Sequence, residues 1–132
     1  MEEILEMIKA GQRIGYRRET ISEALSFMDR YRLNLKGKKS KVVSAVSYRI
    51  MGLACGDTHE WKEIFAEIDV YPHYAWEVYR ELLDSKSKRL DELGIARKQL
   101  DIRVMNCTRR QGNGTSDEER REISEIFRSI FL

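Results

Sequence analysis

Four closely spaced lysines are the side chains in this sequence best suited to bind a charged ligand. Lys36, Lys38, Lys39 and Lys41 surround Gly37 and come just before a long apolar segment. Lysine neutralises phosphate groups, the first amides of a helix attract anions, and glycine permits close approach of the backbone. The segment therefore predicts phosphate contacts with double-stranded DNA. A solvated lysine loop that balances acidic segments elsewhere is the alternative interpretation.

A second basic segment lies nearer the carboxyl end of the chain. Residues 93–115 hold five basic residues and one acidic residue, while residues 31–56 hold six basic residues and no acidic one. The formal net charge of the whole chain is only +2, so the positive charge is concentrated locally. We assign Arg109 and Arg110 to the same predicted DNA-binding surface as the four lysines.

Aromatic side chains crowd one turn and the helix that follows it. Tyr79 falls on the apolar stripe of that helix and is predicted to lie in the core. His73 and Trp76 fall off the stripe and are predicted to be exposed. An exposed tryptophan is more often an anchor for a protein partner than a stacking platform for bases. Contact with a protein partner, packing against the C-terminal segment and base stacking all stay open for these two residues.

The histidines and cysteines do not form a catalytic or metal-binding motif. His59 and His73 are not part of an HExxH pair, and Cys55 and Cys107 lack the CxxC spacing of zinc and redox sites. The sequence also has no GxxxxGK[ST], GxGxxG or GxSxG loop. We therefore expect a protein that is not an enzyme, uses no metal or cofactor, and keeps both cysteines as buried thiols.

The composition favours one soluble domain. The chain has 132 residues, of which 35% are charged and 42% are hydrophobic, which is enough for a single moderate core. Its first residues, MEEILEMIKAG, are acidic where a secretory signal is basic, and its longest charge-free runs span only seven residues. We expect a cytoplasmic protein that does not enter a membrane.

The elements that position these side chains are predicted to be helices, because apolar residues recur at helical spacing nearly throughout. A short first helix ends near Gly11, and a second covers about residues 17–33, with Thr20 and Glu23 as a capping box. The segment KVVSAVSYRIMGLACG is apolar on most sides, which is typical of a buried helix at the centre of a fold.

Two helices joined by a tight turn are predicted next. Asp57 and Glu60 indicate a capping box for a helix over about residues 58–68. Pro72 suits the first position of the following helix, which runs to about Ser85.

The last third of the chain is predicted less sharply. Residues 95–110 fit either a helix with Leu100, Val104 and Cys107 on one face or a short strand from Leu100 to Val104, and we favour the helix. Ser116 and Glu119 indicate the capping box of a well-patterned final helix, which ends in FRSIFL.

The order of these helices resembles a cyclin box. Four stretches resemble the cyclin-like repeats of archaeal transcription factor B, the relative of eukaryotic transcription factor IIB. They are IGYRRETISEA at 14–24, LKGKKSKVVSAVSYRIMGLACG at 35–56, THEWKEIFAEIDV at 58–70 and VYPHYAWEVYRELL at 70–83. The resemblance implies an all-α, cyclin-like core of five helices over residues 1–88. A helical extension over residues 89–132 would then either pack on this core or form a dimer interface.

The sequence also departs from that family. It contains no zinc ribbon, the part of the family that engages RNA polymerase. Where the DNA-reading repeat of the family presents arginines after the turn, this chain has Ala75, Trp76 and Glu77. Residues 57–83 carry seven acidic and two basic residues, which opposes the approach of phosphate. We therefore favour a structural role for this helix-turn-helix over DNA reading.

Two hypotheses of function follow from these features. The first is a transcription-associated regulator, resembling a truncated transcription factor B core, that binds double-stranded DNA through its basic segments and a protein partner of the transcription machinery. The second is a non-enzymatic protein–protein adaptor of the same fold that does not bind DNA. A homodimer formed through the final helix fits both hypotheses.

Overall fold

Eight helices follow one another in the computed structural model, which describes residues 2–108 and 117–132. Within those two ranges there is no strand, so the all-α prediction is confirmed and residues 97–108 form the favoured helix. The helices are α1 (Glu2–Ile14), α2 (Arg18–Arg30), α3 (Ser40–Ala54), α4 (Trp61–Glu67), α5 (Pro72–Asp84), α6 (Ser87–Glu92), α7 (Arg97–Thr108) and α8 (Asp117–Phe131).

Helix α3 is buried along almost its whole length. Every residue from Val42 to Ala54 is buried, including Arg49. Because its side chains are apolar or small on all sides, other helices pack around it rather than against a single face. Helices α2, α5 and α8 make its most extensive contacts. The predicted buried helix at the centre of the fold is confirmed.

Helix α1 is longer than predicted, because Gly11 lies inside it rather than at its end. A Cβ atom at Gly11 would lie 2.7 Å from Cζ of Tyr48 and 2.9 Å from Cγ1 of Ile21. The glycine thus lets α1 approach α2 and α3 closely, and the helix continues to Ile14. The prediction that it ends near Gly11 was wrong, since a close approach of helices and a helix end both use glycine.

The predicted capping of α2 and α4 was also wrong. Thr20 is buried in α2, and its hydroxyl donates a hydrogen bond of 2.8 Å to Oδ2 of Asp57. The backbone N–H of Arg17, the residue before α2, donates to the same oxygen at 2.8 Å. Asp57 therefore stabilises the start of α2, and α4 begins after a capping box formed by Glu60 and Glu63.

Helix α5 agrees closely with its prediction. Pro72 stands at its first position, and its buried residues include Ala75, Val78, Tyr79 and Leu82. Proline is suited to this position because the first amides of a helix have no acceptor within the helix. The short helix α6, which was not predicted as a separate element, follows after two residues.

Helix α8 packs against α3. Its buried residues are Ile123, Phe127, Ile130 and Phe131. The Arg128 Nε donates a hydrogen bond of 2.7 Å to the carbonyl oxygen of Ala54, the last residue of α3. Such a bond satisfies a carbonyl that has no partner within its own helix. The predicted cap Ser116 lies outside the described residues. None of the described helices combines the length and apolar character needed to cross a membrane.

Candidate functional site

Three of the predicted lysines, Lys36, Lys38 and Lys39, lie on the connection between α2 and α3, and Lys41 lies in the first turn of α3. Leu35 is buried and anchors this connection, while Lys36, Lys38, Lys39 and Lys41 are all exposed. The N–H of Leu35 donates to the carbonyl of Tyr31 at 3.0 Å, and the N–H of Lys38 donates to the carbonyl of Leu35 at 3.1 Å. These bonds hold the segment in successive turns, so the four side chains extend from an ordered backbone.

Gly37 lies between these lysines with φ +82°, in the left-handed region. A Cβ atom there would meet no heavy atom within 4 Å, so backbone conformation is the reason for glycine at this position. Lys39 directly precedes α3, whose first turn contains no acidic residue. The partial positive charge of this helix end therefore adds to the charge of the lysines.

A third basic segment, which the sequence did not single out, lies beside the first. The Nζ of Lys86 is 4.8 Å from the ring centre of Tyr31 and 5.7 Å from that of Phe131. Arg89 donates a hydrogen bond of 3.2 Å to the hydroxyl of Ser129. Residues 86–89 therefore lie near the end of α8 and against Tyr31, the residue that directly precedes residues 32–41, and we call the segments 32–41 and 86–89 together the basic end. The composition of the KSKR stretch at 86–89 is the signal that could have identified it.

Acidic groups compensate only part of this charge. Residues 31–41 contain five basic residues and no acidic one. Lys38 lies 3.3 Å from a carboxylate oxygen of Glu81, and Arg89 lies 3.1 Å from one of Glu92. Exposed ion pairs of this kind stabilise by about 0–1 kcal/mol, so both cations can exchange their partner for a phosphate.

A shallow groove of about 600 Å³ lies along the segment 32–41 of the basic end. Basic side chains of Arg32, Lys36 and Lys38 line it together with apolar ones, including Leu33, which is 83% exposed. The basic side chains could contact the phosphates of a polyanion that lies along the groove. Leu33 offers an apolar contact in addition, which binding to phosphate alone does not need.

Other basic residues of the sequence are engaged elsewhere. Arg97 contacts Asp84 at 2.6 Å and Asp101 at 3.3 Å, and Arg103 contacts Glu122 at 2.6 Å. Two of the three basic residues of α7 are therefore paired with carboxylates. Arg109 and Arg110 lie outside the described residues, and their assignment to DNA stays a prediction.

The aromatic residues around α5 form a second surface. The side chain of His73 is 58% exposed and lies 2.9 Å from a carboxylate oxygen of Glu77. Trp76 is 42% exposed, and Tyr71 and Tyr74 are more exposed still. Tyr79 is buried, as predicted. His73 and Trp76 are thus placed at the surface, as the sequence indicated.

Trp76 also borders a cleft of about 390 Å³ between α3, α4, α5 and α7. Arg49 lines this cleft and is only 5% exposed. Its Nη1 donates a hydrogen bond of 2.8 Å to the carbonyl of His59, and its Cζ lies 5.5 Å from the ring centre of Trp61. Sequence reasoning missed this residue, although it is the only charge between Lys41 and Asp57.

A largely buried polar network includes His59, whose carbonyl accepts the hydrogen bond from Arg49. The imidazole Nδ1 lies 2.9 Å from Glu63 and Nε2 lies 3.6 Å from Asp57, and the ring of Tyr16 packs edge-on against it at 4.5 Å. This network joins the start of α2 to the start of α4. Burial raises the pKa of Tyr16 and of Tyr48 well above the usual tyrosine range, so both phenols stay neutral. The described residues contain no group of three or more side chains suited to hold a metal ion.

Comparisons with protein-family models, curated proteins and solved structures give no match for this chain.

Proposed function

We propose that this protein is a transcription-associated regulator that binds double-stranded DNA through its basic end. The observation that carries the proposal is the contact of Lys86 with Tyr31, which places residues 86–89 beside the residue that directly precedes the segment 32–41. Two basic segments on one ordered surface provide several simultaneous phosphate contacts, which is the main source of affinity in non-specific DNA binding. The acidic helix-turn-helix of α4 and α5 has no part in it.

The resemblance to the cyclin-like repeats of transcription factor B supports the transcriptional role. In those repeats, helices surround a central one, and here α1, α2, α4 and α5 all contact the buried α3. A cyclin-like core over residues 1–88 and a protein partner in the transcription machinery are part of this proposal. The lysine segment precedes the central helix in both sequences.

A charge-matched pair of variants tests the DNA-binding part of the proposal. The first variant changes Lys36, Lys39 and Lys41 to alanine, and the control changes Lys9, Lys62 and Lys98, three exposed lysines outside the basic end. Fluorescence anisotropy with random duplex DNA should show at least tenfold weaker binding for the first variant. The slope of log affinity against log salt should decrease by about 0.9 for each lysine that contacts a phosphate.

Two results would contradict the proposal. Equal weakening by both variants would show that only the total charge matters, and no binding by the native chain at low salt would remove DNA as a ligand. The second outcome would favour a protein–protein adaptor, for which the exposed Tyr71, Tyr74 and Trp76 are the supporting observation.

A further inference from the structure

Arg49 is a buried cation whose charge no carboxylate of the described residues pairs with. The guanidinium is held by the carbonyl of His59 and by the face of the Trp61 ring. Its Nε is buried and has no hydrogen-bond partner in the described part of the chain. A buried charge is costly unless it is paired, so a site that retains one is suited to an anion.

The two carboxylates that line the cleft together with Arg49 are already engaged. Glu60 accepts the backbone N–H of Glu63 in the capping box of α4, and Asp101 accepts a hydrogen bond of 3.3 Å from Arg97. Lys62 is the other cation that lines the cleft. The lining thus carries two cations and two carboxylates, and each carboxylate already accepts a hydrogen bond from a protein group, so we take the Arg49 guanidinium as the group that recognises a ligand.

The walls of the cleft are aromatic and apolar. Trp61 and Trp76 lie 5.7 Å apart between ring centres, Tyr79 meets both of them edge-on, and Val104 and Met105 of α7 stand opposite. A volume of about 390 Å³ lies within the range of roughly 300–1,000 Å³ that is typical of small-molecule sites. Aromatic walls beside a fixed guanidinium suit a ligand with an aromatic ring and one anionic end.

We propose that this cleft binds a small aromatic carboxylate. The carboxylate would lie against the Arg49 guanidinium where it borders the cleft, because a guanidinium presents its N–H groups as a planar fork that matches a carboxylate. The aromatic ring would lie against Trp61 and Trp76. This site is separate from the basic end and does not depend on DNA binding.

The two tryptophans of the chain, Trp61 and Trp76, provide a direct readout because both line the cleft. In an NMR titration with naphthoate, the two indole N–H resonances should shift together. The neutral isostere naphthamide should bind at least tenfold more weakly, since it brings the ring without the charge. Equal affinity for the two compounds, or no shift with naphthoate, overturns the proposal.

Variants of the two cations that line the cleft separate the buried guanidinium from general positive charge. Arg49→Met should remove the preference for naphthoate over naphthamide, whereas Lys62→Met should change naphthoate affinity less than about threefold, as expected for an exposed cation. An Arg49→Met chain that keeps the preference overturns the proposal. If that variant does not fold, the comparison of naphthoate with naphthamide on the native chain decides alone.

Discussion

The basic end and the aromatic cleft present positive charge in opposite ways. At the basic end, lysines stand in solvent on an ordered backbone and two of the cations have exposed acidic neighbours. In the cleft, a single guanidinium is buried among rings and paired with no carboxylate of the described residues. Exposed charges favour a large polyanion, whose affinity depends strongly on salt. A buried charge favours a small anion, whose affinity depends on salt much less.

The two surfaces also depend on different helices. Phe131 of α8 lies beneath the basic end, where its ring contacts those of Phe27 and Tyr31 and lies 5.7 Å from the ammonium of Lys86. The cleft is formed by α3, α4, α5 and α7 and includes no residue of α8. A substitution in α8 should therefore change DNA binding at the basic end without changing ligand binding in the cleft.

The largest effect is expected from Phe131→Ala. Removing this buried ring should lower the free energy of unfolding by about 3–5 kcal/mol, as for other large-to-small changes in a core. At a temperature where the variant is still folded, its DNA affinity should fall because Lys86 loses its support, while naphthoate affinity stays the same.

Leu132→Ala is the matched control for that variant, since Leu132 is 55% exposed and its loss should have little effect on stability. Urea unfolding measures the difference between the two variants. A destabilisation by Phe131→Ala of less than about 1 kcal/mol would contradict the packing of α8 on the core.

A smaller effect is expected from Tyr79, which packs beneath the cleft. Burial raises its pKa to about 12, from the ordinary value of 10. Stability from this group is complete below pH 10, where the phenol is protonated in both states, and is lost as the pH rises from 10 through 12. Tyr79→Phe should therefore reduce the decrease in stability between pH 10 and 11 by about 1 kcal/mol.

Urea unfolding at pH 9, 10 and 11 measures this difference. Tyr31→Phe serves as the control because Tyr31 is only half-buried and lies outside the cleft. An identical pH dependence for Tyr79→Phe and the native chain would show that the phenol of Tyr79 is not protected by burial.

The parts of the fold that follow from local pattern could be predicted from the sequence. Apolar stripes identified α3, α5 and α8, and Pro72 marked the start of α5, since these signals depend on residues that are neighbours on one helix. Gly11 and Asp57 were misassigned because their roles depend on other helices. Gly11 makes room for Tyr48, and Asp57 binds the start of α2 from 40 residues away.

For the candidate sites, too, local sequence pattern predicted some features, whereas others depend on contacts between helices. Local charge density identified the lysines at 36–41, and the helical stripe placed His73 and Trp76 at the surface. The contact of Lys86 with Tyr31 and Phe131 depends on how α2, α6 and α8 pack, which no local pattern contains. Arg49 was visible as a lone charge in an apolar helix, but its place beside Trp61 required the packing of α3 against α4.

The central claim, that DNA binds at the basic end and leaves the aromatic cleft free, is tested most directly by one NMR titration. Random duplex DNA is added to the isotope-labelled native chain at low salt, and the backbone amides and both indole N–H groups are followed. The account predicts that amides of residues 36–41 and 86–89 shift while the indole signals of Trp61 and Trp76 do not. Shifts confined to the indoles and to α5, with the lysine segment unchanged, would contradict it.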